Sequence, residues 1–137
     1  MIFEERKQSS HAANESYYPV RYISADFITD RKTQRKLTEH YPNYMDTWGM
    51  CGMLGDCLYI DEHLYLVVKE RYYQSPTYAS VKEALECLKQ TCDKYRITKI
   101  AMPKISCVSD RLLWFRIREM MFRIFEDSSI YVLIYEG

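Results

Sequence analysis

Apolar residues recur at spacings of three and four from Val81 through Leu85, Leu88 and Cys92 to Tyr95, which predicts an amphipathic helix there. Its start has two readings. Ser80-Val-Lys-Glu83 has the form of a capping box, while Ser75-Pro76 sets a helix-favouring proline directly after a capping residue. Next, Ile97-Thr-Lys-Ile-Ala-Met102 is short, apolar and stopped by Pro103, the pattern of a buried strand that ends in a loop over 104–109. A second helix is expected from about Arg111, with Leu113, Ile117, Met120, Met121, Ile124 and Phe125 on one broad face and Ser109 or Asp110 as its cap. The β-branched and aromatic run Ile130-Tyr-Val-Leu-Ile-Tyr135 reads as a core strand.

The first half is less regular. Residues 18–24 and 64–68 read as strands, 1–5 as a further one, 30–40 as a polar helix and 8–16 as a connection. Strands and helices thus alternate, which favours an α/β fold, a mixed sheet covered by helices, with functional groups gathered in loops at strand ends. Two such ends stand out, just after Val68 and just after Met102. No repeat or Pro/Ser-rich linker divides the 137 residues, so one domain over 1–137 is expected.

Nineteen basic and nineteen acidic side chains cancel, so no overall field draws polyanions and nucleic-acid binding is disfavoured. No run approaches the roughly 18 consecutive apolar residues of a membrane span, and the opening MIFEERKQSS lacks the apolar core of a signal peptide. A soluble, intracellular protein without membrane contact is expected. The five cysteines, at 51, 57, 87, 92 and 107, form no CxxC pair, and His11, His40 and His63 are scattered. Neither a disulfide framework nor a metal site is expected, Cys87 and Cys92 read as buried thiols, and no cofactor is implied.

Two compositional departures sharpen this. Of four glycines, three sit in Gly49-Met-Cys-Gly-Met-Leu-Gly55, a segment with no following Lys-Ser/Thr that reads as a turn rather than a phosphate loop. Tyrosine is abundant, with 13 residues, and Tyr72-Tyr73, Tyr41, Tyr44 and Trp48 are candidate exposed contacts for a protein partner.

Chemistry concentrates at the two strand ends. Tyr65-Leu-Val-Val-Lys69 sets a cation at the end of a hydrophobic strand, and Met102-Pro-Lys-Ile-Ser-Cys-Val-Ser-Asp-Arg-Leu112 sets Asp110 where a strand-loop-helix turn opens. A lysine and an aspartate brought to one rim have the chemistry of a nucleophile and its acid/base partner. By residue type alone they are equally a solvated strand end and a helix cap.

The wording of these segments says more. Tyr65-Leu-Val-Val-Lys-Glu-Arg71, then Pro76-Thr-Tyr78, then Met102-Pro-Lys-Ile-Ser-Cys-Val-Ser-Asp-Arg-Leu-Leu-Trp114 resemble the macrodomains of the terminal ADP-ribose protein glycohydrolase type. The likeness is colinear from about residue 64 to 135, and Arg21-Tyr-Ile-Ser-Ala-Asp26 resembles a strand-end segment of the same family. It implies a macrodomain-like three-layer sandwich, a mixed β-sheet with helices on both faces, holding ADP-ribose in a cleft at the strand ends. It further implies Lys69 as the nucleophile at the anomeric carbon of the distal ribose and Asp110 as acid/base beside it. Ser24, Asp26, Ser106, Cys107, Val108 and Ser109 would line the ligand. The implied partner is ADP-ribose or an ADP-ribosylated protein, and the implied compartment the nucleus or cytoplasm.

The chain also departs from that family. Where the family's phosphate loop reads Gly-Cys-Gly-Leu, this chain has Ser106-Cys-Val-Ser109; a Gly-Ala-Gly segment is replaced by about Asp30-Arg-Lys32; and a Gly-Asp pair that holds the adenine falls near Gln8-Ser9. A backbone approaches a pyrophosphate closely only where no side chain intervenes. Arg31-Lys-Thr-Gln-Arg-Lys36 could supply phosphate contacts by side chain instead, or be a solvated helix face. Two functions follow: a diverged hydrolase that removes terminal ADP-ribose from Glu/Asp-modified proteins with weakened binding and turnover, or an inactive scaffold that acts through protein interaction.

Overall fold

The five residues from Leu64 to Val68 are all buried, which a strand tolerates only when both faces of its sheet are covered. A computed structural model describes residues 1–7, 16–41, 54–104 and 111–136. In chain order these form β1 (Ile2–Arg6), β2 (Tyr18–Ser24), α1 (Arg31–His40), β3 (Cys57–Ile60), β4 (His63–Lys69), α2 (Tyr78–Tyr95), β5 (Lys99–Pro103), α3 (Trp114–Ile124) and β6 (Tyr131–Tyr135). The described strands make one mixed sheet in the order β1-β6-β5-β2-β4-β3, in which β3 runs antiparallel to β4 and every other neighbouring pair is parallel.

Helices α2 and α3 cover one face, where Val81, Leu85, Leu88, Ile117, Met121 and Phe125 meet the sheet's Leu66, Ile100 and Val132. On the other face α1 inserts Leu37 against Ile23, Leu58, Ile60, Tyr65 and Val67. This is the expected three-layer α/β sandwich. Among the described residues no helix is long and apolar enough to cross a membrane.

Three expectations need correction. Ser80 does not cap α2 from outside; Thr77 is the N-cap and Ser80 lies inside the first turn, the two exchanging bonds between Ser80 N–H and Thr77 Oγ1 and between Thr77 N–H and Ser80 Oγ, both 3.1 Å. Helix α3 begins at Trp114 rather than near Arg111, with Leu113 as an N-cap that makes no side-chain bond. The proposed caps Ser109 and Asp110 lie outside the described residues, and Leu112 is buried while Leu113 is 50% exposed. Strand β3 went unread because its hairpin turns through Asp61-Glu62, both at positive φ (49° and 64°), a conformation that Asn-Gly or Gly-Gly would have announced. Strand β5 starts at Lys99, not Ile97, since Arg96 is left-handed (φ 56°) and Ile97 N–H closes onto Cys92 O, ending α2.

Candidate active site

In a parallel sheet the strands' carboxyl ends share one edge, and here β2 and β4 end together, with Ser24 paired to Lys69. A register shift between Ile23 and Ser24 skips Val68. Such a bulge re-aims the strand end, and Lys69 emerges half-exposed just beyond the buried run of β4. Its Nζ donates to the Tyr72 carbonyl at 2.9 Å. Lys69 opens on a cleft of about 460 Å³ whose described lining includes Leu54, Glu70, Tyr73, Ser80 and Arg111.

The turn after Lys69 is braced from β2. Ala25 N–H bonds Lys69 O at 2.9 Å and Asp26 N–H bonds Glu70 O at 3.2 Å, so the ladder continues past both strands. Asp26 is 93% buried by its 7% exposure, and its carboxylate is engaged by the protein: Oδ1 accepts from Ser24 Oγ and from Ile28 N–H at 3.2 Å, Oδ2 from Tyr72 N–H at 3.0 Å. Within the turn, Arg71 N–H bonds Gln74 Oε1 at 2.8 Å and Gln74 N–H bonds Arg71 O at 3.1 Å. Tyr72 and Tyr73 project from it, 54% and 71% exposed, their rings T-shaped at 5.5 Å.

Of the expected site residues, Ser24, Asp26 and Lys69 therefore meet at one strand end, with the polar groups of Ser24 and Asp26 turned toward the protein. Asp110 and the loop residues Ser106, Cys107, Val108 and Ser109 lie outside the described residues, as do Tyr44, Trp48, His11 and the Gln8-Ser9 position. Arg111, next to Asp110 in the chain, reaches the Lys69 cleft, a placement sequence reasoning did not anticipate. Neither did it single out the Asp26–Tyr72 bond, which joins residues 46 apart and left no pattern to read.

The segment at Asp30 is helical, as expected, and its N-terminal, anion-accepting end is already occupied by the Asp30 carboxylate. Asp30 caps α1, its Oδ2 accepting from Thr33 N–H at 3.0 Å, while Arg21 Nη1 lies 3.4 Å from Asp30 Oδ1 and 2.8 Å from Thr33 Oγ1. The Thr33 backbone bond, aided by the Thr33 side chain, holds the Asp30 carboxyl below its ordinary range. Arg31, Lys32 and Arg35 are exposed on α1. His40 and His63 bond backbone carbonyls of their own neighbourhoods, Lys36 O and Asp61 O. Burial pushes the Cys57 and Cys92 thiols up to about 12, which leaves them protonated and unreactive at neutral pH. Among the described residues no group of three His, Cys, Asp or Glu could hold a metal ion.

No family model matches the chain. Over 71 residues it is 37% identical to the human (Homo sapiens) ADP-ribose glycohydrolase OARD1, covering 52% of this chain and 47% of that protein. Over 71 residues it is 34% identical to the uncharacterized protein 032R of Invertebrate iridescent virus 6, covering 71% of the viral chain. In three dimensions it matches the macrodomain of Mycobacterium tuberculosis DarG with a TM-score of 0.72 at 13% identity, over 100% of this chain and 98% of that one. This chain is a macrodomain of the terminal ADP-ribose glycohydrolase type. The macrodomain spans about half the length of OARD1. Another solved structure, Thermosipho africanus DarTG in complex with ADP-ribose, matches 88% of this macrodomain and 38% of its own chain, with a TM-score of 0.60 at 15% identity.

Proposed function

We propose that this macrodomain is a diverged glycohydrolase that takes the ADP-ribose of a Glu- or Asp-modified protein into the Lys69 cleft and releases it. The observation that carries the proposal is the placement of Lys69: a lysine at the end of a buried strand, opening on a cleft, its Nζ held 2.9 Å from a fixed carbonyl. Once deprotonated, that amine retains N–H groups for the Tyr72 carbonyl while its lone pair is free to attack. A C–N bond forms at the anomeric carbon of the distal ribose, the C–O bond to the side-chain ester breaks, and the carboxylate leaves with the electron pair. Water then adds at the same carbon, and the C–N bond breaks to return the lysine and free ADP-ribose. Asp110 supplies the acid/base in this reading, with the role that the family resemblance implies. The likeness to OARD1 supports the substrate class.

Turnover should be slow, because the chain lacks the glycines that let a backbone wrap a diphosphate. One observation favours a second reading, an inactive macrodomain that acts by binding a protein: the first turn of α1 is capped by the Asp30 carboxylate, and a phosphate brought there would meet a like charge. Two assays separate the readings. In a titration with ADP-ribose to millimolar concentration, with AMP as control, a Kd near 10 μM corresponds to about 2.7 kcal/mol of stabilisation at 1 mM and a visible thermal shift. In a release assay on a glutamate-ADP-ribosylated protein, wild type is expected to free ADP-ribose, Lys69→Ala to abolish release and the exposed-lysine control Lys82→Ala to leave it intact. Absence of both binding and release would leave the scaffold reading.

A further inference from the structure

A cleft of about 460 Å³ has room for a sugar and attached phosphates but not for a polypeptide. On the hydrolase reading the anomeric carbon is brought to Lys69 Nζ, which lies 2.9 Å from the Tyr72 carbonyl. The ester attached to that carbon therefore passes beside the 70–74 turn, and the protein that carries it has to rest on the rim outside. Among the described residues, the exposed aromatic surface beside that turn is the Tyr72–Tyr73 pair, with Tyr73 also lining the cleft.

The pair is presented in a fixed attitude. Tyr72 N–H is held by the buried Asp26 carboxylate, and Arg71 and Gln74 close the turn on themselves. Tyrosines on a braced turn offer wide contact area and a hydroxyl while losing little freedom when they bind. An aromatic face with a polar tip suits the main chain and mixed side chains around a modified glutamate or aspartate.

We infer that Tyr72 and Tyr73 receive the polypeptide bearing the ADP-ribose, so that the site selects protein-linked esters over small ADP-ribose esters. This rests on the hydrolase reading above. The test compares two substrates, a protein mono-ADP-ribosylated on glutamate and O-acetyl-ADP-ribose, across wild type, Tyr73→Ala and the Tyr72→Ala/Tyr73→Ala double variant. Tyr131→Ala, an exposed tyrosine at the opposite end of the sheet, serves as control. The double variant is expected to lose about tenfold more kcat/KM on the protein substrate than on the small ester, with the control variant unchanged on both. An equal loss on both substrates, or no loss on either, overturns the inference. Wild type that cleaves neither substrate overturns the hydrolase reading and the inference with it, a failure visible before any variant is made.

Discussion

Both oxygens of the Asp26 carboxylate accept bonds from within the protein, and one of them holds the amide of the residue whose carbonyl receives Lys69 Nζ. A buried carboxylate so engaged positions the lysine through a single residue, Tyr72, and its loss would let the turn shift. A reacting atom displaced by about 1 Å can cost about a hundredfold in rate. Asp26→Ala is accordingly expected to lower kcat by that order while KM and the Kd for ADP-ribose hold. Asp26→Asn, which keeps an acceptor for Tyr72 N–H, should recover part of the rate. A rise in KM with kcat intact would instead show Asp26 acting on the ligand. The strand-end identity of Ser24, Asp26 and Lys69 could be read from sequence because short motifs carry it; the bond from the Tyr72 amide that completes the Asp26 site could not, because Tyr72 lies 46 residues away.

Among the elements, α2 sets the wall of the cleft. Ser80 Oγ donates to the Val68 carbonyl at 2.6 Å, while accepting from Thr77 N–H, so the helix's first turn is tied to β4 one residue before Lys69. Ser80 is 5% exposed, and Ser80→Ala would leave a buried carbonyl without that donor and remove half the capping box. A loss of about 1–3 kcal/mol in urea unfolding is expected, whereas an exposed-site control such as Lys82→Ala should stay within about 0.5 kcal/mol. The long amphipathic helix was legible from its apolar period. Its cap was displaced because two serines compete with Thr77 as plausible starts in the sequence, and tertiary bonding to Val68 decides which turn closes. In the same way, Gly55 marks a turn that the glycine count announced, at φ 87° with its missing Cβ facing Glu83 of α2, while the Asp61-Glu62 hairpin carried no such signal.

Across the whole molecule, strand alternation indicated an α/β fold and the family resemblance implied its three layers, but the strand order and the helix faces depend on packing between segments far apart in the chain. That packing buries ionisable groups as well. The Cys57 and Cys92 thiols are raised by burial from 9.0 to about 12, and the phenols of Tyr41, Tyr59 and Tyr65 are raised from 10.0 mainly by the same cause. Above pH 9 the unfolded chain releases thiol protons that the folded chain keeps, so it binds fewer protons and stability falls as pH rises. The contribution of these neutral thiols is complete below pH 9 and is lost toward pH 12. The urea midpoint is expected to be lower at pH 10.5 than at pH 8, and to fall less steeply in a Cys57→Ala/Cys92→Ala variant. An identical slope in both proteins would place the alkaline sensitivity elsewhere.

The central claim is that Lys69 attacks the anomeric carbon of a bound ADP-ribose. Its most direct test is to incubate the protein with ADP-ribose and cyanoborohydride, which reduces a lysine–sugar imine to a stable amine, and to locate the adduct by peptide mass spectrometry. One saturable adduct on Lys69 is expected, suppressed in Asp26→Ala. Modification spread evenly over exposed lysines, with Lys69 unmarked at saturating ligand, would contradict it.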